Sequence, residues 1–263
     1  MPMRVGDKAM DARRPRTRRW PGSVRRARKH LCLWLAALVA VAPVPSHAQG
    51  VSSAQFGDPT GRYGHGVLGD AIEYGSLTLV SPAHPQGVTV ILPQDHVFED
   101  LAPRLVDIDQ DGHHEVMVIE TDVTQGAQLA IYDFRGHKVA QTPHIGRTHR
   151  WLAPIGAADL DGDGFVELAY IDRPHLAKTL RIWRYRDGQL QDVISHAGLT
   201  NHQIGQDFIT SGLRDCGQGP EIVTVDAGWR RIIAVRLSQG RVSTQDLGRL
   251  SQDPTLADTL ACE

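Results

Sequence analysis

Asp107, Asp109 and Asp111 alternate along the chain, Gly112 follows them, and Glu115 lies eight residues after the first aspartate. Fifty-two residues downstream Asp159, Asp161, Asp163, Gly164 and Glu167 repeat the arrangement letter for letter. Carboxylates at every second position, closed by a glycine that lets the backbone turn back on itself, can wrap several oxygens around one hard cation. A loop that recurs at a fixed distance makes the period the key to the fold.

The residues around the loops keep the same period. Apolar runs ending in an acid follow the loops or their equivalent at 116–120, 168–172 and 222–226, and second runs lie at 129–134, 180–185 and 232–237. Gly136, Gly188 and Gly240, spaced 52 and 52, then mark turns, and Gly87 stands 49 residues before the first of them as a fourth member. The segments leading into the acid loops, 102–108 and 153–160, with 208–213 as their counterpart, supply one more strand per repeat. No stretch holds a helical period, so the expectation is an all-β chain. Each repeat reads as a four-stranded antiparallel meander of about 53 residues, which leaves an apolar face that only a neighbouring unit can cover. The predicted fold is a β-propeller of about four blades with an Asp-rich calcium loop in blades two and three. A linear solenoid is the rival arrangement, against which stands the lack of polar capping repeats. The blades fall at about 64–100, 101–151, 152–205 and 206–252, with a tail at 253–263. The first lacks a clear inner strand and acid loop, and the tail after Ser251 is expected to complete it. Residues 49–63 are polar and Gly-rich without period and read as a loose leader.

Residues 1–48 read as a secretory signal peptide. Eleven Lys or Arg within residues 1–30 precede an apolar run at 31–44, and Ser46-His47-Ala48 forms a small-x-small cleavage site. Fourteen apolar residues are few for a membrane span, so the mature chain is expected to be exported, periplasmic or extracellular, and not membrane-spanning. Residues 49–263 hold 17 basic against 28 acidic side chains, which makes nucleic acid and anionic membranes poor partners. Cys216 and Cys262 are the two cysteines left after cleavage, and an exported protein with two thiols is expected to join them.

The Asp-x-Asp-x-Asp-Gly-x-x-Glu loops within a short-strand repeat resemble the FG-GAP or VCBS repeats of integrin α-chain propellers and of exported bacterial proteins. The resemblance is specific over 107–115 and 159–167 and weaker over about 64–250. It implies a calcium-stabilised propeller and no single activity; seven blades are usual for the integrin type, and four is a departure. By resemblance the first site uses Asp107, Asp109, Asp111, the His113 carbonyl and Glu115, and the second Asp159, Asp161, Asp163, the Phe165 carbonyl and Glu167. An EF-hand would need a glutamate at position twelve, where Val118 and Tyr170 stand. In the fourth repeat Arg214 or a Cys216 disulfide is expected to replace the ion.

In a meander, residues before the first strand and after the second share the end opposite the loops. His96, His149 and His202 recur there at spacings of 53 and 53, with His65 as a possible first-repeat counterpart. Asp172, Arg173, His175 and Trp229 belong to the same end. Two readings stand: imidazoles that satisfy polar groups at the strand entrances, or a ligand site. No nucleophile motif or phosphate loop occurs, so no catalytic residue is assigned. The expected function is a calcium-binding, exported binding or scaffold module for a protein or glycan partner. The alternative is an envelope hydrolase or lyase using the His and carboxylate set.

Overall fold

The computed structural model describes residues 50–251 and 256–263; the expected signal peptide lies outside the described residues. Among the described residues the chain is all-β, built from antiparallel sheets in a propeller-like arrangement, with one short C-terminal helix.

The described strands form three antiparallel sheets and read as successive meander units, the first two of which share one sheet. The first comprises β1 (Ser53–Thr60), β2 (Glu73–Ser81) and β3 (His84–Ile91). In the second, β4 (His96–Phe98) and β5 (Arg104–Val106) share one edge of β6 (Glu115–Asp122), followed by β7 (Gly126–Tyr132) and β8 (Lys138–Gln141). The third is the regular case, β9 (Leu152–Ala158), β10 (Glu167–Asp172), β11 (Thr179–Arg186) and β12 (Gln189–Ala197), paired in order. In the fourth, β13 (Leu199–Thr200) and β14 (Gly212–Arg214) share an edge of β15 (Glu221–Asp226), then β16 (Arg231–Ser238) and β17 (Arg241–Arg249). The inner strands expected at 102–108 and 208–213 are shortened to β5 and β14, and a further short strand, β4 or β13, precedes each on the same edge. A single bridge, Tyr74 to Phe98, joins the first unit to the second.

Burial follows position within each unit. β7 and β10 are buried along their whole length, and β15 nearly so, because neighbouring units cover both faces. The outer strands β12 and β17 are mostly polar and exposed, which protects the free edges from pairing with other chains. One apolar core runs through units two to four, with Met117, Ile131, Trp151, Leu168, Ile171 and Val235 among its members. A second, with Leu77, Phe98, Val118 and Tyr132, fills the space between units one and two. Asp187-Gly188 and Gln239-Gly240 close two-residue hairpins with both residues at positive φ, the turn geometry that matches strand twist.

Three expectations are corrected. Ser53–Thr60 is not leader but strand β1, paired with β2 from Ser53↔Val80 to Thr60↔Glu73. Gly87 lies inside β3 at φ 83°, and the hairpin turn falls earlier, at Pro82-Ala83. The tail does not complete the first unit. Its helix α1 (Ala257–Leu260) follows Leu256, which packs with Val223 and Ile232 of the fourth unit, and the Leu260 side chain lies against Gly212. The Cys216–Cys262 disulfide and a hydrogen bond from Arg214 Nη1 to the Thr259 carbonyl (2.8 Å) hold it there.

Candidate functional site

The acid loops join the inner strand of a unit to its second strand. In each, the leading aspartate folds the loop by accepting backbone hydrogen bonds. Asp107 takes the amides of Asp111 (3.1 Å) and Gly112 (3.0 Å), and Asp159 those of Gly162, Asp163 and Gly164 (2.8, 3.1 and 2.9 Å). Asp111 and Asp163 accept from the His113 and Phe165 amides at 2.8 and 3.0 Å. Glu115 and Glu167, at the start of β6 and β10, accept from the amides of Ile108 and Leu160. Oxygens of Asp107, Asp109 and Asp111 lie within 4.8 Å of one another, as do those of Asp159, Asp161 and Glu167. That spacing suits a cation with metal–oxygen distances near 2.4 Å, and an all-oxygen set suits calcium over zinc or copper. Asp161 Oδ1 is buried without a partner, as a ligand oxygen would be. Burial and the neighbouring aspartates push the Glu115 carboxyl up to about 7.

Antiparallel alternation puts the β1–β2 and β10–β11 connections, and the approach to β9, at the other end. There Tyr63, His65, His149, His175 and His202 come together from units one, three and four and the connections between them. The Tyr63 hydroxyl accepts from the His149 amide at 2.7 Å, and the His65 and His149 rings lie 5.3 Å apart. His65 Nδ1 pairs with the fully buried Glu99 carboxylate, which also accepts from Thr121 Oγ1 (2.7 Å). Trp151 packs edge-on against His202 and donates Nε1 to the Glu99 carbonyl at 2.7 Å. A cleft opens above, lined by His65, His149, Arg150, Trp151, Arg173 and His175.

Tautomers follow from the partners. His202 Nε2 faces the Gln206 carbonyl at 3.0 Å and must donate, so in the neutral ring its Nδ1 accepts from His175 Nε2 at 3.1 Å. Burial lowers both imidazoles, and with the His202 and His65 rings added it takes His175 down to about 4. A base held below its ordinary value contributes stability that is present above pH 6.5 and lost as pH falls toward 4. Urea titrations between pH 7 and 4.5 should therefore show the wild type losing stability faster than His175→Gln. The difference should be about 1–2 kcal/mol, given the ring's partial exposure; parallel losses would refute this linkage.

Of the residues expected at this end, His149, Arg173 and His175 line the cleft, and His202 lies against His175 and Trp151. Asp172 holds the Arg173 guanidinium through two hydrogen bonds (2.8 and 3.0 Å). His96 stands apart, 2.9 Å from Asp95 and near Glu120, Asp122 and the His144 ring. Trp229 lines a separate cleft with Asp226, Arg230 and Arg249. Sequence reasoning missed Tyr63 and three buried acids, Glu73, Glu99 and Asp100; no local pattern distinguishes them from solvated carboxylates. Asp100 is held by Arg104 Nη1 at 2.8 Å.

Among solved structures, the exotype rhamnogalacturonan lyase YesX aligns at 13% identity with a TM-score of 0.39, covering 64% of this chain and 40% of its own. The Bacillus licheniformis rhamnogalacturonan lyase PL11 aligns at 13% and 0.37, covering 65% and 42%. This chain therefore spans well under two thirds of either lyase. No curated protein sequence matches it. Residues 107–170, which hold both acid loops with β6 to β10 around them, match the family model of the FG-GAP-like repeat.

Proposed function

We propose that the chain is an exported, calcium-stabilised propeller of about four blades that serves as a binding module for a protein or glycan. The oxygen-only loops would hold the ion through Asp107, Asp109 and Asp111 in one case and through Asp159, Asp161 and Glu167 in the other. The bound cation supplies charge neutralisation that ties the inner strand of a blade to the next. The observation that carries the binding role is the far end of the units. Leu176, which lines the cleft over the convergent imidazoles, is 65% exposed, and Ile204, two residues after His202, is 72% exposed. Large apolar side chains left in water beside polar groups of fixed orientation are the composition of a contact surface.

The test is binding of the mature protein to a glycan array and to proteins of its own envelope by cross-linking, compared with His149→Ala and Leu176→Asp. Loss of the captured ligand with an unchanged fold supports the module. Undiminished capture by both variants removes this face from the reading. A second reading, a hydrolase or lyase, is favoured by the buried His65–Glu99 pair beside His149. Turnover of a captured glycan with a pH–rate profile set by an imidazole would move the assignment there.

The calcium role has its own expected result. An ion bound with a dissociation constant of about 0.1–1 mM contributes roughly 1.5–2.7 kcal/mol at about 10 mM calcium. Asp109→Ala should accordingly lower Tm in calcium by roughly 3–10 °C and leave it unchanged in chelator. Equal shifts in both buffers would count against the metal loop.

A further inference from the structure

We infer that Arg184 is a tethered cation serving loop 159–167, so that the two acid loops differ in kind: the loop at 107–115 depends on calcium, and the loop at 159–167 carries its own positive charge. The inference rests on the calcium reading above and concerns how the sites divide it.

Strand register supplies the argument. Each loop or its equivalent ends in a glutamate that opens the second strand: Glu115, Glu167 and Glu221. The facing position on the third strand differs from unit to unit. In unit three Glu167 pairs directly with Arg184. In unit four Ile222 pairs with Val235, which sets Arg236 opposite Glu221. In unit two Val116 pairs with Tyr132, which sets Asp133 opposite Glu115. Arg184 and Arg236 are 52 residues apart, the repeat period itself.

The contacts follow the register. Arg184 uses three nitrogens on three carboxylates: Nε to Glu167 Oε1 at 2.5 Å, Nη2 to Asp161 Oδ2 at 2.7 Å and Nη1 to Asp163 Oδ2 at 2.8 Å. In unit four two guanidiniums grip one carboxylate, with Arg214 Nε 2.8 Å from Glu221 Oε1 and Arg236 Nη2 2.8 Å from Oε2. Asp133 turns away and caps its own hairpin, accepting from the Arg135 and His137 amides at 2.9 Å each. Among the described residues no ion pair reaches Asp107, Asp109, Asp111 or Glu115.

The units thus form a series. Four acids face no arginine in unit two, four acids face one in unit three, and one glutamate faces two in unit four. A calcium ion entering loop 159–167 finds Asp161 Oδ2 and Glu167 Oε1 already held by Arg184, with only Asp161 Oδ1 of these two carboxylates unpartnered, and must sit beside a fixed positive charge. A unit charge about 4 Å from a divalent ion weakens binding roughly tenfold or more even at high dielectric.

Calcium titration calorimetry on chelator-stripped mature protein decides it, using the wild type, Arg184→Gln, Asp109→Ala and the double variant. The wild type should bind one ion in its tight class, and Asp109→Ala should remove it. Arg184→Gln should gain a second tight ion, tighter by roughly tenfold or more than any second event in the wild type, and the double variant should keep it. Two equal ions in the wild type, or no gain in Arg184→Gln, overturn the assignment while leaving the calcium reading intact. No binding in any variant overturns both. Thermal melts guard against misfolding. In the Asp109→Ala background Tm should be insensitive to calcium, whereas adding Arg184→Gln should lower Tm in chelator and make it rise with calcium; calcium sensitivity that does not change on loss of Arg184 would also overturn the assignment.

Discussion

Replacing Cys216 and Cys262 together by serine is expected to destabilise the mature protein by about 4 kcal/mol and to lower Tm by roughly 8–16 °C. The bridge closes a loop of sequence separation 46, and in the chain-entropy account that closure removes freedom mainly from the unfolded chain. The fold adds a second consequence. The last unit has an apolar face, Val223 and Ile232, which the tail residue Leu256 covers. Without the bridge, four-residue helix α1 is too short to hold itself together, and Arg214 loses its Thr259 carbonyl when the tail leaves. The double variant should therefore bind a hydrophobic dye and expose the tail to protease well below its Tm. A Tm within about 2 °C of wild type, with the tail still protected, would mean that packing alone secures it.

The parts of this architecture that were legible in the sequence are those fixed by short-range pattern. The runs at 116–120, 168–172 and 222–226 fall within β6, β10 and β15, because an apolar run bounded by turn residues has few other uses. Asp187-Gly188 and Gln239-Gly240 announced their hairpins for the same reason. β1 was not legible: in Ser-Ala-Gln-Phe-Gly-Asp-Pro-Thr only Ala54 and Phe56 are apolar, and Gly57 and Pro59 argue against a strand. What makes it one is distant, the pairing with β2 and the stacking of Phe56 on Tyr74 and Phe98 at 5.4 and 5.3 Å. Repeat spacing placed His149 and His202 at one end but could not see that His96, at the same interval, belongs to a different group of acids. Arg184 was in view all along, one period before Arg236, yet its meaning needs the register that sets it opposite Glu167.

Glu73→Gln should stabilise the protein at neutral pH, by on the order of 3 kcal/mol at pH 7. Glu73 is 1% exposed at the start of β2, and its Oε1 has no hydrogen-bond partner. Two other buried acids stand nearby, but each has its own side-chain partner: His65 meets Glu99, and Arg104 meets Asp100. Burial first, then the charges of Glu99, Asp70 and Asp100, push the Glu73 carboxyl up to about 9. The folded chain therefore keeps a proton that the unfolded chain releases above its ordinary value near 4.5. An acid raised in this way costs nothing below pH 4.5, and its cost grows by about 1.4 kcal/mol per pH unit until it levels off near 9. Glutamine keeps the shape of the protonated side chain and has no proton to lose, so the variant escapes the whole cost. Its advantage over wild type should be near zero at pH 4, clear at pH 7 and largest at pH 9, read by urea titration at each pH. A variant that is less stable than wild type at pH 7, or a difference that does not change with pH, would show that Glu73 is ionised and paired in the folded protein.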